Sequence, residues 1–224
     1  DLPAIISNFY ARAGIVKLNN GETGSVTFIG TVSPAGGNLK EPVTESTKKA
    51  ARCFYALNQS RADRKRYPAV DPIDSYSKYL EYPEIAEYLN AKVDPQWVDK
   101  VNKAKNYILR GKEAYEQINI LGDDGVPMEY HSRYWKSELI DFIILQQDAF
   151  DSIDCSTPMD RQEFMLNKVL EVCEAPVKFE DFEECANFYK GIINVMRQMN
   201  YSVYKSAEFE KYLEQLNKTI NHDN

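Results

Sequence analysis

"WVDKVNKAKNYILRGKEAYEQINIL", residues 97–121, decides the fold class. Trp97, Val101, Ile108, Tyr115 and Ile118 recur at intervals of three, four or seven, which is the period of an α-helix with one apolar stripe. Such a stripe has to be covered by neighbours, and the sequence downstream supplies them. Residues 130–150 place Trp135, Leu139, Phe142, Ile143 and Phe150 at similar spacings. Residues 182–199 carry Phe182, Cys185, Tyr189, Ile192, Val195, Met196 and Met199, and residues 206–220 carry Phe209, Leu213, Leu216 and Ile220. Turn-forming breaks fall at 121–127 ("LGDDGVP"), 155–158 ("CSTP") and 174–177 ("EAPV"). From about residue 80 the chain therefore reads as a helical bundle.

The first 70 residues have another texture and hold six of the ten glycines. "GSVTFIGTVSP", residues 24–34, is apolar on both faces at Val26, Phe28, Ile29 and Val32, which predicts a strand buried in a sheet covered on both sides. "PAGGNLKEP" (34–42) predicts a loop, and residues 44–57 a helix capped by Thr44. Residues 3–13 read as the tail of another helix. Helix, strand, loop and helix do not complete a sheet, so this half reads as the end of an α/β domain. The opening "DLPAIISNFYARAG" lacks an initiator methionine and a basic, apolar leader, and the chain is expected to be a fragment or processed piece.

The chain has 224 residues and a net charge of −7, enough length for one or two domains with a real core. It lacks the basic footprint of a nucleic-acid binder; the cluster Arg61 to Arg66 is short. No run of about 18 apolar residues predicts a membrane span. Cys53, Cys155, Cys173 and Cys185 form no C-x-x-C pair, and the two histidines (His131, His222) add no ligand spacing, so no metal site is expected and the thiols are read as small hydrophobes. No phosphate-cradling G-x-x-x-x-G-K-[ST] occurs; the lone Gly111-Lys112 lacks its first glycine. No catalytic residue is expected within this chain.

"KRYPAVDPIDSYSKYLEYPE", residues 65–84, carries three prolines, Pro68, Pro72 and Pro83. Proline fixes its own φ and restrains the residue before it, so Tyr67 is expected on a stiff backbone.

Four stretches, "NFYARAG" (8–14), "GSVTFIGTVSPAGGNLKEPVT" (24–44), "YPAVDPIDSYS" (67–77) and "LQQDAFDSID" (145–154), together resemble the catalytic A subunit of V-type and archaeal-type rotary ATPases. "YPAVDPIDS" also resembles the β subunit of F-type ATP synthases. The resemblance implies the last part of a RecA-like α/β nucleotide-binding domain, residues 1–79, followed by a C-terminal helical domain, residues 80–224. It implies that the parent subunit couples ATP hydrolysis or synthesis to proton or sodium transport, with Mg²⁺ on its ATP or ADP. The phosphate loop and catalytic glutamate lie upstream in the family, so this portion alone is expected to be inactive and to bind no nucleotide tightly.

By the same resemblance Tyr67 and Phe150 match aromatics of the adenine pocket, with Gln146 and Gln147 beside them. Most V-type members carry Phe at position 67; either ring stacks. Asp123, Asp124 and Gly125 match a turn that touches the central-stalk rotor, and the loop of Ser33, Pro34, Gly36 and Gly37 lies near the interface with the B subunit of an alternating hexamer. Closure would hinge about residues 67–80. The implied location is cytoplasmic and peripheral to the membrane, without insertion into it. The contrasting expectation is a free-standing helical scaffolding module without nucleotide chemistry.

Overall fold

In the computed structural model, which describes residues 1–222, the chain runs α1 (Leu2–Tyr10), β1 (Gly14–Lys17), β2 (Thr23–Val26), α2 (Pro42–Ala50), β3 (Cys53–Phe54), α3 (Gln59–Asp63), β4 (Tyr76–Ser77) and α4 (Pro83–Lys92). It continues through α5 (Trp97–Leu121), α6 (Met128–Ile140), a π-helical turn (Asp141–Leu145), α7 (Met159–Glu174), α8 (Phe182–Tyr201) and α9 (Ala207–His222). The architecture is mostly α: a short α/β piece leads into a helical bundle.

Helix α5 has the bounds its apolar stripe predicts, and it buries Trp97, Ala104, Ile108, Gly111 and Ala114. Leu139 and Ile140 of α6, Val169 and Val172 of α7, Ile192, Met196 and Met199 of α8, and Phe209 and Leu216 of α9 complete one core. Each such side chain adds about 1.5–3 kcal/mol through apolar area removed from water. Tyr115, on the stripe by spacing, lies exposed and stacks on Tyr134 with ring centroids 5.5 Å apart. Helix α8 starts at Asp181, whose carboxylate accepts from Glu184 N at 2.8 Å, while Glu184 accepts from Glu180 N at 2.7 Å. These acidic pairs cap a helix as well as facing solvent.

Residues 24–34 are not the buried strand that their apolar faces suggest. Pairing ends at Val26, whose partner is Gly14 in an antiparallel ribbon of β1 and β2, and Ile29 is 92% exposed. A two-stranded ribbon has no second layer to cover both faces. The cover present is aromatic: Phe28 stacks on Phe9 at 5.2 Å. The cap of α2 is Glu41 rather than Thr44: its carboxylate accepts from Val43 N and Thr44 N, both at 3.0 Å, with Pro42 where no N–H partner is needed. Thr44 is buried and donates its hydroxyl to Glu41 at 3.0 Å. The helix expected over 130–150 leaves regular α geometry at Ile140, and Phe150 is on no helix.

Strand β3 pairs with β4, Cys53 opposite Ser77 and Phe54 opposite Tyr76. Between them residues 55–75 form a strap lying against α6. Cys173 and Cys185 are buried as small hydrophobes, and burial pushes their thiols up to about 12 and about 11; Cys53 is half-buried and Cys155 exposed. No helix among the described residues is long and apolar enough to cross a membrane, and none of them form a cluster of three or more His, Cys, Asp or Glu able to hold a metal ion.

Candidate functional site

The strap ends in "KRYPAV", and its tyrosine faces the end of the π-helical turn. In that turn Gln146 N donates to the Asp141 carbonyl at 2.9 Å, a five-residue span that widens the helix and ends it. The next amide, Gln147 N, donates to the Tyr67 carbonyl at 2.9 Å. That single bond joins two segments 80 residues apart in sequence. The Tyr67–Pro68 peptide is cis.

A cleft of about 440 Å³ opens where the segments meet, and Tyr67, Gln146, Gln147 and Phe150 all line it. Tyr67 is 54% exposed and Phe150 fully so, at 101%. The loop that carries Phe150 is nonetheless built rather than loose. Asp148 accepts from Phe150 N at 2.9 Å, Asp154 accepts from Asp148 N at 2.6 Å, and Asp151 accepts from Ile153 N and Asp154 N at 2.9 and 2.8 Å. Burial holds the Asp154 carboxyl above its ordinary value, and nearby Asp151 and Asp148 add to this against the amide it accepts from and the charge of Arg161. The ordered loop thus presents the Phe150 ring to water at the mouth of the cleft.

Behind the cleft lies an ionic clasp. Arg61 is 8% exposed and grips Asp141 with both terminal nitrogens, at 2.8 and 3.0 Å. Arg66 Nη1 lies 2.8 Å from Asp141 and 2.8 Å from Glu138, itself 6% exposed. For Asp141, burial opposes ionisation, but the hydrogen bonds and charges of Arg61 and Arg66 outweigh it and hold the carboxyl below the usual carboxylate range. For Arg66, burial opposes the charge and Glu138 and Asp141 more than offset it. The guanidinium of Arg66 also sits 4.8 Å from the ring centroid of Phe142, with that of Arg197 at 5.6 Å, so two cations flank this ring. The cluster Arg61 to Arg66 was visible in sequence as a short basic run; its acidic partners were not.

The remaining predicted residues lie elsewhere. Asp123, Asp124 and Gly125 form an exposed 3-10 turn at the tip of the α5–α6 hairpin, beside exposed Ile120 and Leu121. The Asp123 carbonyl is bonded to His131 Nε2 at 2.8 Å, and His131 stacks on Phe182 at 5.3 Å. Ser33 and Pro34 precede a second 3-10 turn, Ala35–Gly37, where Gly36 and Gly37 take φ of 63° and 71°, a left-handed conformation suited to glycine. Neither turn touches the cleft.

An α/β tail followed by a helical bundle matches the class of ATP synthase alpha/beta-type chains in their trailing part. Residues 1–77 match the ATP synthase alpha/beta family, nucleotide-binding domain. The V-type ATP synthase alpha chain of Chlamydia muridarum is 38% identical over 219 residues, 98% of this chain and 36% of that protein. That of Borrelia duttonii is 38% identical over 213 residues, 94% of this chain and 34% of that protein. Among solved structures, a unique ATP synthase subunit NeqB from Nanoarcheaum equitans superposes with a TM-score of 0.57 at 19% identity, covering 78% of this chain and 40% of that one, which shows the fold alone. The chain belongs to the V-type ATP synthase alpha-chain family and spans about a third of the length of the curated relatives it matches.

Proposed function

We propose that this chain is the part of a rotary-ATPase catalytic subunit that receives the adenine ring of ATP between Tyr67 and Phe150, with Gln146 and Gln147 at the base edge. One observation carries the reading: four residues named from two separate sequence stretches converge on a single cleft. A purine offers two π-faces, and stacking on aromatic side chains is worth about 1–3 kcal/mol per base. The residues present fit the base; the triphosphate and its Mg²⁺ would be held by the phosphate loop and catalytic glutamate of the upstream sequence. Mg²⁺ supplies charge neutralisation on the transferring phosphoryl group when bound. This portion alone performs no hydrolysis.

In the same reading residues 1–79 close the nucleotide-binding domain and residues 80–224 form the lever. Asp123, Asp124 and Gly125, at the hairpin tip, reach the central stalk; the exposed acidic turn flanked by Ile120 and Leu121 suits such a contact. Ser33, Pro34, Gly36 and Gly37 face the B subunit. The parent couples ATP hydrolysis or synthesis to proton or sodium transport from a cytoplasmic position peripheral to the membrane.

The test is Tyr67→Ala in the assembled complex. KM for ATP should rise by a factor of roughly 5–100, from the loss of one stacking face, while Tyr67→Phe retains the wild-type value. An unchanged KM in the alanine variant removes the pocket assignment.

A further inference from the structure

Gln146 is the one polar side chain of the cleft whose amide is tied to the clasp: its Nε2 lies 3.3 Å from Asp141 Oδ1. Two guanidiniums grip Asp141, Arg61 through both oxygens at 2.8 and 3.0 Å and Arg66 through Oδ2 at 2.8 Å. A carboxylate so held only accepts hydrogen bonds. The group facing it must therefore be the NH₂ of Gln146, because the reversed amide would set oxygen against oxygen with no proton between them. The backbone on either side is fixed as well, by the bonds from Gln146 N to the Asp141 carbonyl and from Gln147 N to the Tyr67 carbonyl, both 2.9 Å. With one N–H engaged, the amide keeps its carbonyl and its second N–H without a protein partner among the described residues.

We infer that Asp141, clamped by Arg61 and Arg66, is a positioning residue that sets the Gln146 amide so that its carbonyl and remaining N–H read the base, favouring a 6-aminopurine over a 6-oxopurine. This rests on the pocket reading above and adds a means of base selection to it. Adenine offers an amino donor beside a ring-nitrogen acceptor, the complement of a side-chain carbonyl and N–H. A 6-oxopurine turns an acceptor toward that carbonyl, and a site built for a hydrogen bond rejects a ligand that cannot make it.

Asp141→Asn makes a sharp probe. The asparagine carbonyl would take the place of Oδ2, where Arg61 Nη1 and Arg66 Nη1 converge, leaving its NH₂ at Oδ1; there Arg61 Nη2, which can only donate, loses its acceptor and must draw back, whereas Gln146 can turn. Gln146 would then turn its carbonyl to that NH₂ and present N–H groups to the base, which suits a 6-oxo group.

The experiment compares hydrolysis of ATP and ITP by the assembled complex, in wild type and in Asp141→Asn, Gln146→Leu and Tyr67→Ala. The ratio of kcat/KM for ATP to that for ITP should fall about tenfold in Asp141→Asn and in Gln146→Leu, chiefly through KM for ATP. In the double variant the two losses should not add. In Tyr67→Ala both nucleotides should weaken together and the ratio should hold. If Tyr67→Ala raises KM while Asp141→Asn changes both nucleotides by one common factor, the pocket stands and the orienting role of Asp141 is overturned. If no variant alters KM for either nucleotide, the pocket reading falls and this inference with it. Should Asp141→Asn fail to assemble, Gln146→Leu leaves the clasp intact, and an unchanged ratio there overturns the inference.

Discussion

Gly111 of α5 lies directly against Ser137 of α6: a Cβ at position 111 would stand 2.1 Å from Ser137 Cβ and 2.6 Å from its Oγ. The one Gly-Lys pair in the chain thus marks a close crossing of two helices. Gly111→Ala should force the crossing apart and cost about 1–3 kcal/mol, as overpacking does. Ser137→Gly should recover much of that loss, which a double-mutant cycle by urea denaturation measures. Simple additivity of the two changes would refute the crossing as the cause.

Arg161, 4% exposed, donates to the carbonyls of Met199 and Ser202, at 2.6 and 3.0 Å, where α8 ends. Burial lowers its pKa against the opposing charge of Asp154, but a guanidinium stays protonated. Arg161→Met should cost about 3 kcal/mol, because two buried carbonyls lose charged donors. Arg161→Lys, which cannot fork, should recover only part, as read from denaturation midpoints.

Acid should loosen the strap before it melts the core. The folded pKa of Asp141 is depressed, so its contribution is fully present above the ordinary carboxylate pKa of about 4 and is lost as pH falls through the folded value. Denaturation midpoints taken from pH 7 to pH 3 should therefore fall less steeply on the acid side in Asp141→Asn than in wild type. Parallel acid limbs would mean that Asp141 is not held as the arginines imply.

Phe150 is the position where the proposed ligand role can be told apart from a role in folding. Its ring is fully exposed, so Phe150→Ala should shift stability by no more than about 0.5 kcal/mol. KM for ATP in the assembled complex should nevertheless rise about fivefold or more. A melting shift without a KM change would make the ring structural.

Much of this was legible in sequence where the cause is local. The 3.6-residue period gave α5 its bounds at Trp97 and Leu121, because packing and helix geometry there ask for the same residues. The aromatic cleft was legible through "YPAVDPIDSYS" and "LQQDAFDSID", whose likeness to a family carries spatial information that periodicity lacks. The failures are equally physical. Val26, Phe28 and Ile29 look like a central strand because burial on both faces was inferred from composition, whereas cover depends on which strands lie alongside. Asp141 went unnoticed because its partners stand 75 and 80 positions away, and charge pairing at that distance leaves no periodic trace.

The clasp also ties the α/β piece to the bundle. Arg61 and Arg66 fasten the strap to α6 and the turn after it, the Gln147–Tyr67 bond fastens it again, and Ile73 packs on the core. The Ala51–Arg52 link between α2 and β3 is held as well, by Lys78 N donating to the Arg52 carbonyl at 2.9 Å and by Tyr76 donating across it to the Lys48 carbonyl at 2.8 Å. Strap and bundle are thereby fastened into one piece that carries the cleft wall at one place and the α5–α6 hairpin tip at another.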